Sequence, residues 1–353
     1  MRIALLHNLA ENAPQPMLNA PHDALYELDH PHNVAAYKAA LEVGGHEVFP
    51  MEGNADLAHR LKDLSIDLCY NTCEGFRGDS REAQVPALLE MLGYPYTGSK
   101  VMTLALTLNK AMTKRILAYH GLPTSAFQEF VSADDPIDLR LAAEYPLFAK
   151  PNSEGTGMGI SERSILHNES ELRTQVAYLL AAYHGPVLVE KYVEGNDVTV
   201  GVVGNWPDLH IFPISMIDNS LYEVTGVHVY GSELKIDQAD AYQYHCPAPL
   251  PDDLADELRR LTVETMRVTN TLDFARVDFR LDRHNHNKPY ILEINSLPGI
   301  TPISDLTLMA QADGWTHADL VYSVLEATLR RMGLQINLPA KIVRKEYSWV
   351  RVR

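Results

Sequence analysis

The stretch "KPNSEGTGMGI", residues 150–160, follows the apolar, strand-like run "YPLFA" and sets a lysine, two hydroxyls and three alternating glycines together. Gly155, Gly157 and Gly159 let backbone amides turn toward an anion with no Cβ in the way, and Lys150 adds a fixed positive charge. The spacing fits neither G-x-G-x-x-G nor a P-loop, because Ile160 stands after the last glycine and no G-K-[ST] follows. A plain glycine-rich hairpin and a phosphate cover both satisfy it; convergence with Lys110 of "TLNKAMTK" would select the phosphate. A second group lies in "FARVDFRL" and "YILEINSLPG". Strand alternation puts Arg276 and Asp278 on one face, and Glu293 with Asn295 on one face while Leu292 and Ile294 turn to the other. The polar turn "DRHNHNKP" between them allows a hairpin that brings Asp278, Glu293 and Asn295 to a common point beside Arg276. Three hard oxygen ligands next to an arginine suit Mg²⁺ bridging phosphates, the other reading being a surface ion pair on an edge hairpin. His284 and His286 in the turn read as solvated loop residues.

The elements that must position these groups alternate short apolar runs with helical patterns, as α/β layers do. "RIALLHN", the end of "HNVAAYKAALEVGGHEVFPM" and "SIDLCYNT" read as strands, with a helix stopped at Gly44 and Gly45. "SREAQVPALLEMLGYPYTG" reads as a helix starting at a serine cap. Residues 1–98 thus form a parallel-sheet domain. "KVMTLALTLNKAMTKRILAYHGLP" reads as one helix ended by Gly121 and Pro123; "TSAFQEFV", "YPLFAKP" and "GPVLVEKYV" supply strands of a second unit, 99–189. In 190–353, "DVTVGVV", "LHIFPISMI", "FARVDFRL" and "KPYILEIN" suggest an antiparallel sheet. Two long amphipathic helices, "DDLADELRRLTVETMRVTNTL" and "HADLVYSVLEATLRRMG", accompany it.

The 353 residues suit two or three such units. A formal net charge of -16 would repel a phosphate backbone, which argues against a general nucleic-acid binder, so an anionic ligand needs a local cluster of cations. No run approaches a membrane span and "MRIALLHN" has no cleavage pattern, so a cytoplasmic protein is expected. Cys69, Cys73 and Cys246 cannot all pair and lack a second pair for zinc; reduced, structural thiols are expected. The basic tail "AKIVRKEYSWVRVR" reads as an alternating edge strand or a docking segment.

Taken together, "EGFRGDSREAQVPALLEMLGYPYTGS", "TLNKAMTK", "AKPNSEGTGMGI", "VLVEKYVEGNDVTV", "YHCPAPL", "FARVDFRL" and "LEINSLPGIT" resemble the D-alanine-D-alanine ligase family of ATP-grasp enzymes over most of residues 70–332. The resemblance implies an N-terminal parallel-sheet domain followed by a two-domain ATP-grasp unit with ATP and Mg²⁺. It implies that Lys110 and Lys150 bind nucleotide phosphates and that the loop 153–159, with Ser153, Gly155 and Gly157, closes over them. Glu190, Lys191 and Val193 would form the adenine hinge and Asp197 would meet the ribose. Asp278, Glu293 and Asn295 would hold Mg²⁺, and Arg276 would face the transferred phosphoryl group and the oxyanion. Gly299 and Ser304 would receive the second amino acid, and a homodimer is what the family implies.

Two departures concern the substrate side. The family's early glycine-rich turn with its glutamate is replaced by "HNLAENAPQPMLNAPHDALYELDHPHN", where Glu27 or Asp29 could substitute, although a solvated loop reading competes. The family's lysine-tyrosine pair before "CPA" is reduced to Lys235 without the tyrosine, and the serine that bonds it becomes Thr156. The expectation is therefore an ADP-forming carbon-nitrogen ligase that activates a donor other than D-alanine, as in natural-product biosynthesis, and adds a small amino acid or similar amine. D-alanine-D-alanine ligase itself and a non-catalytic nucleotide-binding protein are the alternatives.

Overall fold

The computed structural model describes residues 1–14, 21–218 and 243–334, together with the short strand at 350–351. The chain opens with β1 (Arg2–His7), the helix Pro31–Val43, β2 (Glu47–Glu52), the helix Leu57–Lys62 and β3 (Leu68–Asn71). These strands make a parallel sheet in the order β2-β1-β3, whose central strand is apolar and buried on both faces, Ile3 and Leu5 on one and Ala4 and Leu6 on the other. Ser80 provides no side-chain cap: the chain first makes one turn of 3₁₀ helix at Arg81–Ala83 and then the helix Gln84–Leu92, which Gly93 ends in the left-handed conformation.

The run after Lys100 is two helices, not one. Val101–Leu108 and Lys110–Tyr119 are separated at Asn109, whose extended backbone breaks the first and whose side chain accepts from the Met112 amide to cap the second. Lys110 is thereby the first residue of a helix, not one in its middle. Next come β4 (Phe127–Phe130), β5 (Leu147–Pro151), β6 (Ile165–Leu166), the helix Glu169–Tyr183 and β7 (Val187–Lys191), an antiparallel sheet in the order β4-β7-β5-β6.

The third sheet holds β8 (Asp197–Asn205), β9 (Asp208–Ile211), β10 (Ser215–Asp218), β11 (Gln243–His245), β12 (Phe274–Asp282) and β13 (Lys288–Asn295), ordered β11-β10-β8-β12-β13, with β9 also on β8. "LHIFPISMI" is split between β9 and β10 by Phe212–Ile214. The helix Asp252–Thr269 backs this sheet, while Asp305–Ala312 and His317–Arg331 carry the chain back to the first sheet, where the Tyr70 hydroxyl donates to the Val321 carbonyl at 3.1 Å. One apolar core therefore runs from Leu5 and Tyr37 through Phe274 to Leu325. The basic tail lies outside the described residues except for β14 (Val350–Arg351), which pairs with β9. The three cysteines are free thiols, two of them buried. No helix among the described residues is long and apolar enough to cross a membrane.

Candidate active site

Two sheets face each other across a cleft. One wall is β5, β7 and the glycine loop; the other is β8 and the β12-β13 hairpin, and Lys110, Lys150, Gly155, Gly157, Glu190, Lys191, Val193, Asp197, Arg276, Asp278 and Glu293 all line it. Lys150 comes from β5 and Glu190 from the adjacent β7, so the sheet itself sets their separation. The Glu190 carboxylate is 3% exposed and sits between Lys150 Nζ at 2.8 Å and Lys114 Nζ at 2.7 Å, with the Ser125 hydroxyl donating at 2.6 Å. Burial alone would push its pKa up; the two ammonium groups instead hold it well below the usual carboxylate range. Glu190 thus works through its side chain as the anchor of two lysines. Lys110 joins the walls, its Nζ donating to the Glu154 carbonyl and lying 3.3 Å from Glu293 Oε2. Asp197 accepts from Arg280 Nε at 2.6 Å, Arg280 also reaches the Val193 carbonyl at 3.3 Å, and Lys191 pairs with Glu144 at 2.8 Å. Phe148, Tyr192 and Phe279 give the cleft an apolar slot of the kind a planar base occupies.

The hairpin forms as its alternation predicts, with Arg276 opposite Asn295 and Asp278 opposite Glu293. A bulge then corrects the assignment of faces. Phe279 pairs with Ile291, so Leu292 is the extra residue; it lines the cleft beside Glu293, while Ile291 and Ile294 enter the core. Arg276 grips Asp278 with Nε and Nη2, both at 3.0 Å, and reaches Asp305 Oδ2 with Nη1 at 3.0 Å. Burial opposes its charge, but these carboxylates raise its pKa further above the usual range. Thr199 Oγ1 donates to Asp278 at 2.9 Å and Asn295 Nδ2 at 2.9 Å. Among the described residues no three His, Cys, Asp or Glu side chains could hold a metal by themselves. Two half-buried carboxylates and a carboxamide oxygen fit Mg²⁺, which takes only one or two protein carboxylates and completes its shell with phosphate and water.

A second cavity shares Lys110, Gly155, Arg276, Glu293 and Asp305 with the cleft and is lined as well by Glu27, Asp29, Glu74, Glu82, Thr156, Asn295, Gly299 and Ser304. Glu27 is no solvated loop residue. Only 12% of its side chain is exposed, and its carboxylate is held by the buried Arg81. Burial, opposed by hydrogen bonds from Thr72 and Asn33, pushes Asp29 up to about 6; burial reinforced by Glu27 pushes Glu82 up to about 8, and Glu74 also moves up, chiefly through burial. Ser304 precedes the helix Asp305–Ala312, where its hydroxyl donates to the Thr301 carbonyl at 3.0 Å and lies 3.1 Å from Thr307 Oγ1.

In the glycine loop, Thr156 adopts φ 52°, and Gly157 and Gly159 also have positive φ. A Cβ at Gly155 would lie 2.2 Å from Glu27 Oε1, so any larger residue there has to displace that carboxylate. The amides of Met158, Gly159 and Ile160 are already bonded within the protein, which leaves the front of the loop for a guest. Ser153 stands apart from the other nucleotide candidates. It lines a cavity behind the loop, next to Arg81 and Tyr183, and its buried hydroxyl has no hydrogen-bond partner in the structure. Lys235 lies outside the described residues. Reading the sequence passed over Lys114, Arg81, Glu74 and Glu82. Lys114 follows Lys110 by one helical turn, a signal that was legible; the other three depend on which loops meet.

A family model described as the D-ala D-ala ligase C-terminus matches residues 116–326. D-alanine--D-alanine ligases of Desulforudis audaxviator and Bordetella petrii are 32% and 36% identical, covering 83% and 75% of this chain and 91% and 77% of those proteins. An uncharacterized protein, y4sG, of Sinorhizobium fredii is 32% identical over 83% of this chain and 86% of its own length. Among solved structures, D-alanine--D-alanine ligase from Bacillus anthracis complexed with ATP superposes with a TM-score of 0.71 at 22% identity, covering 94% of this chain and 99% of that one. That likeness establishes the same mixed α/β, ATP-grasp fold.

Proposed function

The chain belongs to the D-alanine--D-alanine ligase family of ATP-grasp, ADP-forming carbon-nitrogen ligases, and on that premise we propose that it joins two D-alanine molecules at the expense of ATP. The observation that carries this reading is the convergence of Lys110, Lys150 and the glycine loop with the Arg276-Asp278-Glu293-Asn295 hairpin on one cleft, which adjoins a cavity lined by Glu27, Asp29, Glu74, Glu82 and Ser304.

A carboxylate cannot acylate an amine in water until one of its oxygens becomes part of a leaving group. Transfer of the γ-phosphoryl of ATP to the donor carboxylate makes that leaving group. The acceptor amine, having given up a proton, then attacks the acyl carbon; the C–N bond forms, the C–O bond to phosphate breaks, and ADP and phosphate depart. Charge accumulates first on the phosphoryl oxygens and then on the tetrahedral oxyanion, and fixed cations beside those positions accelerate both steps. Lys110 and Lys150 hold the phosphates, Glu190 and Lys114 keep Lys150 in place, and Arg276 faces the reacting centre. Asp278, Glu293 and Asn295 would hold Mg²⁺, which neutralises phosphate charge when bound. The strand end Glu190–Val193 and Asp197 receive base and ribose. Thr156 offers a hydroxyl to the cavity, and Gly299 and Ser304 receive the acceptor carboxylate.

The carboxylates of the cavity suit the donor ammonium. This weakens the expectation of a donor other than D-alanine, which followed the solvated-loop reading over the substitution of Glu27 or Asp29 for the early glutamate: Glu27 lines the cavity with Asp29, Glu74 and Glu82. The relatives with a functional name favour D-alanine as well. The test is steady-state turnover with D-alanine as sole amino acid, following ADP and dipeptide together. The expected result is one dipeptide per ADP, with kcat/KM of ~10⁴ M⁻¹s⁻¹ or more. ADP formation only with another donor would overturn the D-alanine assignment. A melting temperature unmoved by saturating Mg-ATP would overturn the nucleotide site.

A further inference from the structure

The first sheet's loops and the glycine loop are tied together at two points. Arg81 is 7% exposed and belongs to neither wall of the nucleotide cleft. Its Nη1 donates to the Ser153 carbonyl at 2.8 Å, and its Nη2 reaches Glu154 Oε2 at 3.1 Å and also the Glu27 carboxylate. Glu27 in turn packs against the backbone of Gly155. The far end of the loop is tethered to the same N-terminal segment: Asp23, 1% exposed, accepts from the Gly159 amide at 3.1 Å and from the Tyr183 hydroxyl at 3.0 Å. The glycine loop is therefore gripped at both ends by residues 23–27, through Arg81 at one end and directly at the other.

Resting on the ligase reading above, we propose that Arg81 is a positioning residue that couples occupation of the donor cavity to closure of the glycine loop over the phosphates. Charge supplies the coupling. The guanidinium carries one positive charge against the two carboxylates of Glu27 and Glu154, which it draws together in a site largely closed to water. Glu27 also lines the donor cavity. An ammonium bound there adds positive charge beside Glu27, so a bound donor and a closed loop stabilise the same carboxylate cluster. Burial, aided by Glu27, holds the Glu154 carboxyl above its ordinary value against the pull of Arg81 and Lys110. Closing the loop only over a bound donor keeps water from the acyl phosphate, the step at which ATP would otherwise be wasted.

The experiment measures dipeptide per ADP, kcat and the KM for ATP in the wild type, Arg81→Lys and Tyr183→Phe, with D-alanine as substrate. Lysine keeps the charge but lacks the fork that reaches a carbonyl and two carboxylates at once. Arg81→Lys should lower kcat at least 10-fold with less than a 3-fold change in the KM for ATP, and the dipeptide-to-ADP ratio should fall below one as water captures the intermediate. Tyr183→Phe, which keeps the ring and so folds, should lower the ratio less. Hydrogen exchange at residues 153–160, with Mg-ATP analogue bound, should slow on adding D-alanine in the wild type and not in Arg81→Lys. A ratio of one in both variants, or equal D-alanine protection in Arg81→Lys and wild type, overturns the coupling while leaving the ligase reading intact. Failure of the wild type itself to make dipeptide overturns that reading and the coupling with it.

Discussion

The two halves of the site handle charge in opposite ways. On the nucleotide side each of these cations has a carboxylate partner carried by another element: Lys150 and Lys114 with Glu190, Arg276 with Asp305, Arg280 with Asp197, Lys110 with Glu293. On the donor side Glu27, Asp29, Glu74 and Glu82 share a cavity in which Arg81 pairs directly with Glu27, while Lys110 and Arg276 line the same cavity and are paired with Glu293 and Asp278. Paired charges on strands and helices form a framework that is rigid before any ligand arrives, whereas the acid gathered on loops gains from a further cation. The first arrangement suits a cosubstrate that must be oriented, and the second suits one whose arrival must be registered.

The largest effect should come from Glu190→Gln, which leaves two buried ammonium groups facing a neutral amide. We expect a loss of about 3–5 kcal/mol of folding stability by denaturant titration. A loss below about 1 kcal/mol would mean that the lysines do not depend on this anchor, and the contrast between the two halves would fail. Arg276→Ala should cost about 2.7–4 kcal/mol at the transition state, or roughly 10²–10³ in kcat, with a much smaller change in Mg-ATP affinity. Equal losses in turnover and affinity would reduce Arg276 to a phosphate anchor.

Gly155→Ala probes the seam between the halves, because the new Cβ meets Glu27 Oε1 at 2.2 Å. Displacing Glu27 should cost about 1–3 kcal/mol of stability, whereas Gly185→Ala, whose nearest neighbour is 3.8 Å away, should be close to neutral. If both variants melt alike, Glu27 does not press on the loop.

The smallest effect concerns Asp29, raised by burial from 3.8 to about 6. A raised carboxyl favours the folded state while protonated. Its contribution is therefore complete below about pH 4 and is lost as pH rises through 6. The stability of the wild type relative to Asp29→Asn should fall by about 1 kcal/mol between pH 4 and 7, allowing for solvent screening of a partly exposed group. A difference independent of pH would show that the donor end is better solvated than its burial implies.

Much of the nucleotide half was legible in the sequence because it is built on strands. A period of two fixes which residues share a face, so Arg276, Asp278, Glu293 and Asn295 could be grouped without a structure. The same rule failed at Leu292, where the bulge inserts one residue and turns to the cleft a side chain assigned to the core. Helical periodicity likewise ran through Asn109, where the cap of a second helix broke it and placed Lys110 at a helix start. The donor half was largely illegible. Glu27, Arg81 and Glu154 are 54 and 73 residues apart, and no local pattern says that three loops meet.

By itself the sequence determined the α/β layering, the glycine loop with Lys150 at its root, and the grouping of Arg276, Asp278, Glu293 and Asn295 on the hairpin. Each depends on local spacing or on the properties of single residue types. The tertiary structure decided that Glu190 anchors two lysines, that Glu27 is buried against Arg81 and Gly155, and that four carboxylates share one cavity. Burial and charge partnership are properties of distance, and distances between remote segments exist only once the sheets have packed.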